Sequence, residues 1–177
     1  MEKTVIVYFS RKGENYVNGN IVDLKHGNTK VVAKMIHEII DSTLFEVQTI
    51  HEYAKEYHTC TLEAKRELKT NQRPKIVDYV HHFEEYQNII LCYPNWWSTM
   101  PMAMFTFLEG HDTAKKHIYP VCTHEGSGMG NSESDIKKLC PKAIIHQGLA
   151  IKGSTVTTAK KEVSKWLEKI GGNKNDN

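Results

Sequence analysis

Apolar residues gather along the chain in five short runs set well apart: TVIVYFS (4–10), LFEVQTI (44–50), NIILCYP (88–94), IYPVCTH (118–124) and AIIHQGLAIKG (143–153). Each is nearly continuous in Val, Ile and aromatics instead of alternating with polar residues. That pattern predicts strands covered on both faces. Between the runs the spacing turns helical, at 28–42, 61–70, 101–109, 132–140 and 155–170. Val31, Val32, Met35, Ile36, Ile39 and Ile40 mark one apolar stripe in the first of these; Ala159, Val163, Trp166, Leu167 and Ile170 mark another in the last. Strand and helix alternate throughout, so the expected class is α/β, a doubly wound parallel sheet with helices on both faces. The polar stretch 51–87 predicts a further short helix near 75–83. VNGNIV, between the first strand and the first helix, reads as an inserted hairpin turning at Asn18-Gly19. With 177 residues, one domain is expected over 1–172, followed by a frayed tail at 173–177.

In open sheets of this class ligands bind outside the carboxyl ends of the strands, where the winding direction reverses. The loops after residues 10, 93 and 123 are therefore where chemistry is expected, and all three are unusual. SRKGENYVNGNIVDLKHGNT follows the first strand and opens the first helix, with Ser10, Asn28 and Thr29 beside that helix's free amides. Helix N-termini favour phosphate, because unpaired N–H groups and the positive dipole end converge there. Helix capping alone would favour the same residue types. Arg11 and Lys12 either touch a phosphate or are solvated, and no Walker A pattern is present. YPNWWSTMP follows the third strand and sets Trp96 beside Trp97 on a loop. One indole can cover the sheet end as packing, but two at a ligand edge point to a flat aromatic ligand. THEGSGMGNSESDI follows the fourth strand, where glycines let a backbone approach a ligand closely or merely turn.

Charge and cysteine usage narrow the classes. Lys+Arg 23 against Asp+Glu 21 gives +2, with the basic residues scattered, which speaks against a nucleic-acid partner. The start, MEKTVIVYFSRKGE, lacks the features of a secretory signal, and no run is long enough for membrane insertion. Cys60, Cys92, Cys122 and Cys140 are widely spaced, and Cys92 and Cys122 fall inside apolar strand-like runs as reduced, buried thiols would, so a cytoplasmic location is expected. HEYAKEYH at 51–58 lacks the second histidine of a zinc helix, and Cys92, Cys122 and His124 read as core and loop residues instead of metal ligands.

Taken together, YFSR…GNT, YPxWW and THEGSG resemble the flavodoxin family, and the resemblance runs from Thr4 to about Ile170. It implies a five-stranded parallel sheet of order 2-1-3-4-5 that binds FMN without a covalent link. By position, Ser10, Arg11, Lys12, Asn28 and Thr29 would hold the phosphate. Pro94, Asn95, Trp96 and Trp97 would line one side of the flavin ring, and Thr123, His124, Glu125, Gly126 and Gly128 the other. The hairpin interrupts the phosphate loop, leaving Lys12 and His26 as alternatives for its middle position. A tyrosine often found after the fourth strand is missing, with only His124 or Met129 to substitute. No side chain is assigned as a catalytic acid or base. The expected function is electron transfer to a redox partner protein. The alternative is an FMN-dependent NAD(P)H:quinone oxidoreductase serving a small-molecule acceptor such as a quinone. A phosphorylation-controlled receiver domain shares the sheet order but would need acidic residues where Ser10-Arg11 and Tyr93-Pro94 stand.

Overall fold

In a computed structural model that describes residues 2–171, the main sheet is parallel throughout. β1 (Thr4–Tyr8) lies inside the sheet, with all five of its side chains buried, and a strand so apolar needs cover on both faces. It pairs with β5 (Asn88–Pro94) on one side and β4 (Thr43–Glu46) on the other. β5 in turn pairs with β6 (His117–His124). β2 (Gly13–Val17) and β3 (Asn20–Leu24) form a separate antiparallel ribbon, the hairpin expected from Asn18-Gly19, with both turn residues at positive φ. Counting only strands of the main sheet, the order is 2-1-3-4-5, as the resemblance implied.

The fifth strand departs from the expected run. Instead of one strand over 143–153 there are two pieces, β7 (Ile144–Ile145) and β8 (Leu149–Lys152), each paired with β6. Pro120 supplies the reason. His146 N donates to Ile118 O, so the backbone of Ile118 faces the edge strand, and two residues on Pro120 faces it too. A proline has no N–H to offer there, and pairing lapses over 147–148 until Val121 meets Leu149.

Other boundaries shift for local reasons. β4 ends at Glu46 instead of 50, because Gln48 and Ile50 leave to exchange hydrogen bonds with Val77 and Lys75. That pairing also holds 75–77 extended, so the short helix expected near 75–83 is reduced to a 3-10 turn at Phe83–Glu85. α2 (Tyr57–Lys69) begins four residues before 61, because the Glu56 carboxylate caps it, accepting from Thr59 Oγ1 and N and from His58 N. Those bonds hold the Glu56 carboxyl down to about 2. At the C-terminal end, the β-branched run of STVTT gives a 3-10 segment at Gly153–Thr158, and α5 spans only Lys160–Lys169. α3 (Met102–Glu109) and α4 (Ser132–Leu139) fall where their spacing predicts. The expected tail lies outside the described residues.

Two cores flank the sheet. α1 (Asn28–Ile39) buries Val32, Ala33 and Ile36, and packs with Val163, Trp166 and Leu167 of α5 against Ile6, Ile90 and Val121. On the opposite face Met104, Phe107 and Ile136 cover Val5, Val7, Ile89 and Leu91. With both faces occupied, the carboxyl ends of β1, β5 and β6 remain as the place for a ligand. No helix among the described residues is long and apolar enough to cross a membrane.

Candidate functional site

The start of α1 is shaped by a close approach. A Cβ at Gly27 would collide with Ser10 Oγ and the Arg11 carbonyl, so only glycine lets the returning chain pass the end of β1 here. Gly27 offers no side-chain cap. Ser10 Oγ accepts from Lys30 N at 3.0 Å, and Val31 N donates to Gly27 O, which leaves the amides of Asn28 and Thr29 free among the described residues. Thr29 Oγ1 lies 2.8 Å from Thr123 Oγ1, a buried contact tying the helix start to the end of β6. Gly153 completes this corner. A Cβ there would stand 2.5 Å from both Asn28 Nδ2 and Glu125 Oε1, so the bare backbone makes room for the two side chains.

The loop after β5 sends its two indoles in opposite directions. Asn95 anchors it, with its N–H on Thr123 O, its Nδ2 on Gly128 O and its Oδ1 accepting from Ser98 N. Trp97 and Ser98 are left-handed (φ 54° and 68°), a conformation costly for residues other than glycine and retained where surrounding structure demands it. Trp96 turns inward, edge-on to Phe9 at 5.2 Å and Tyr53 at 5.0 Å. Trp97 turns outward and is 46% exposed; its Nε1 donates to Thr61 O, and the Lys65 ammonium stands 4.9 Å over its ring.

Above these loops lies a cavity of about 600 Å³. Of the residues expected at a ligand, Arg11, Asn28, Thr29, Pro94, Asn95, Trp96, Trp97, Thr123, His124 and Glu125 line it. Ser10, Lys12, Gly126 and Gly128 do not. Ser10 is turned to α1, as described. Among the described residues, Lys12 and His26 do not line the cavity. Arg11 lines it with a guanidinium already committed to the carbonyls of Glu14, Ala54 and Lys55. Met129 packs against the core instead. Folding also adds residues that local spacing gave no reason to choose: Tyr16 from the hairpin, Tyr57, Cys60 and Thr61 from α2, and Gly153. The Tyr57-to-Thr61 set arrives because α2 begins early, under its Glu56 cap.

Burial and neighbouring charge set the protonation states. The Cys60 thiol is pushed up to about 11 by burial, so it stays protonated at neutral pH. His124 is shifted down, chiefly by burial and secondly against the pull of Glu125. Its Nδ1 accepts from Gly126 N at 2.9 Å, which places the ring proton on Nε2 in the neutral form. A depressed histidine means that the unfolded chain binds the proton more readily. Stability therefore falls as pH drops from about 6.5 toward the lower folded value. Urea midpoints measured from pH 7.5 to 5 are expected to decline in that window, and to decline less in His124→Gln. An identical slope in the variant refutes the assignment. His111 and His146 are shifted the same way by burial, which is why the comparison is between variant and parent.

The Glu125 carboxylate reaches both ends of this geometry. Oε2 accepts from Asn18 N at the hairpin tip, and Oε1 is buried without a partner among the described residues. Residues 23–170 match the family model described as Flavodoxin. The chain belongs to the flavodoxin family. The match starts beyond YFSR and runs almost to the end of α5. Among solved structures, a candidate flavoprotein from Bacteroides eggerthii superposes with a TM-score of 0.78 at 23% identity, over 97% of this chain and 99% of its own. Another from Bacteroides uniformis gives 0.74 at 24% identity, over 94% and 98%. A Lactobacillus acidophilus flavoprotein solved in complex with FMN gives 0.65 at 21%, over 94% and 99%. At these identities the likeness shows the fold of this flavodoxin-family chain. No curated protein matches the sequence.

Proposed function

We propose that the chain binds FMN non-covalently in this cavity and serves as an electron carrier in the cytoplasm. The observation that carries the reading is one continuous space lined by Asn28 and Thr29 at the start of α1, whose amides are free among the described residues, and by the exposed indole of Trp97. The residues present suit the group. Asn28 and Thr29 offer N–H donors at a helix N-terminus, which suits a phosphate. Glu125 Oε1 is a buried acceptor in want of a donor, which suits a hydroxyl of the ribityl chain. Pro94 and Trp97 offer apolar and aromatic surface to a planar ring.

FMN, when bound, supplies the redox chemistry, and the protein supplies position and dielectric. Asn28 and Thr29 fix one end of the ligand, while Trp97 and α2 keep water from the other. His124, neutral at pH 7 with its proton on Nε2, presents a donor and no charge. Among the described residues no lysine or arginine in the wall is free, since the Arg11 guanidinium is spent on carbonyls. A wall without a free cation would leave added negative charge on a bound flavin uncompensated, which would suit transfer of one electron at a time. A redox partner protein would meet the rim at Trp97.

The volume of the cavity favours a second reading. About 600 Å³ is within the range of sites that admit drug-sized molecules, so a small acceptor such as a quinone could share it, as in an NAD(P)H-dependent reductase. Equilibrium dialysis of apoprotein against FMN tests the shared premise: stoichiometric uptake is expected, and none overturns it. NADPH added alone to the loaded protein then separates the readings. Slow or absent bleaching of the flavin band is expected of a carrier; bleaching within seconds would establish the reductase.

A further inference from the structure

The ribbon of β2 and β3 belongs to neither core and pairs with no strand of the main sheet, yet it is fastened at both ends. At its base Arg11 donates to the carbonyls of Glu14, Ala54 and Lys55, and Glu14 Oε2 accepts from Tyr57 N at 2.8 Å, at the start of α2. At its tip Asn18 N donates to Glu125 Oε2 at 3.1 Å, across 107 residues of sequence. The first set of pins lies beside the loop leading into α2, and the last lies beyond β6. Since β5 stands between β1 and β6 in the sheet, the ribbon spans the mouth above the carboxyl end of β5.

Between the pins, Tyr16 lines the cavity, 44% exposed, with its ring stacked on Tyr57 at 6.3 Å and 28°. Its cross-strand partner Ile21 is 42% exposed. Large side chains left half in water on a pinned ribbon, over a cavity, are poorly explained by folding stability alone, because neither joins the core.

We propose that this ribbon is part of the cofactor site: a strap closing over bound FMN, with Tyr16, backed by Tyr57, as the ring that covers the ligand. The inference rests on the FMN reading above. It makes FMN departure depend on the strap: the ligand leaves when the Asn18–Glu125 bond opens and Tyr16 swings clear.

The test is the FMN release rate of the full-length, loaded protein, followed by recovery of flavin fluorescence on dilution. Tyr16→Ala is expected to raise the rate on the order of tenfold, the effect of losing one aromatic stack, and Tyr16→Phe to restore it. Replacing residues 15–22 with Gly-Gly is expected to raise it further and to speed uptake as well. Because Tyr16 is half exposed and outside both cores, the single substitutions leave folding intact, and they decide the matter even should the shortened chain not fold. A release rate unchanged in Tyr16→Ala overturns the strap while leaving FMN binding standing. Absence of FMN uptake by the parent protein would instead fell the functional reading itself.

Discussion

Trp96→Ala is expected to cost about 3 kcal/mol of folding free energy, whereas Trp97→Ala leaves stability nearly unchanged and weakens FMN binding by about 1–3 kcal/mol. The two indoles are neighbours in sequence and opposites in environment. Trp96 is held edge-on between Phe9 and Tyr53 and packs against the core, so truncation leaves a hole lined by rings that cannot collapse into it. Trp97 has its carbon surface half in water, with one hydrogen bond to Thr61 O and one ammonium over its face. What it loses on truncation is contact with a ligand more than contact with the protein. Urea unfolding of the apoproteins, set beside fluorescence titration with FMN, measures both quantities. The assignment is refuted if Trp97→Ala binds FMN like the parent, or if Trp96→Ala unfolds at the parent's midpoint.

Gly27→Val should separate phosphate recognition from ring recognition. The first atom of any side chain there meets Ser10 Oγ and the Arg11 backbone. Backbone cannot yield as a flexible side-chain end does, so the start of α1 must shift, at a cost of about 1–3 kcal/mol in stability. Free amides at Asn28 and Thr29 bind an anion only while they stay aimed at the cavity. Affinity for FMN should therefore fall at least about tenfold, an amount on the order of one charge-assisted hydrogen bond, while affinity for riboflavin, which lacks the phosphate, changes little. Parallel titrations with the two flavins provide the comparison. A preserved preference for FMN over riboflavin would show that the phosphate lies elsewhere.

Much of this site was legible in sequence because sheet topology carries so much of it. Once five buried runs alternate with amphipathic helices, the carboxyl ends of the central strands are fixed as the ligand edge, and the residues just past 10, 93 and 123 follow. Ten expected residues line the cavity for that reason. Ser10 and Lys12 were beyond reach of such an argument, since adjacency in sequence to a loop does not say which way a side chain turns. Ser10 was drawn to the Lys30 amide, and Lys12 stands exposed just before β2.

The sequence by itself determined the fold class, the strand order through the family resemblance, and the three loops, because burial on two faces and helical periodicity are local patterns that survive without coordinates. A split fifth strand was also encoded, in Pro120, but its effect depends on which side of β6 that residue faces, and only pairing decides this. Tertiary structure alone decided that Trp96 points in and Trp97 out, that α2 lends Tyr57 and Cys60 to the cavity, and that an inserted hairpin reaches Glu125. Each of these joins segments distant along the chain. Such contacts arise from the geometry of packing, for which hydrophobic pattern and residue spacing carry no record.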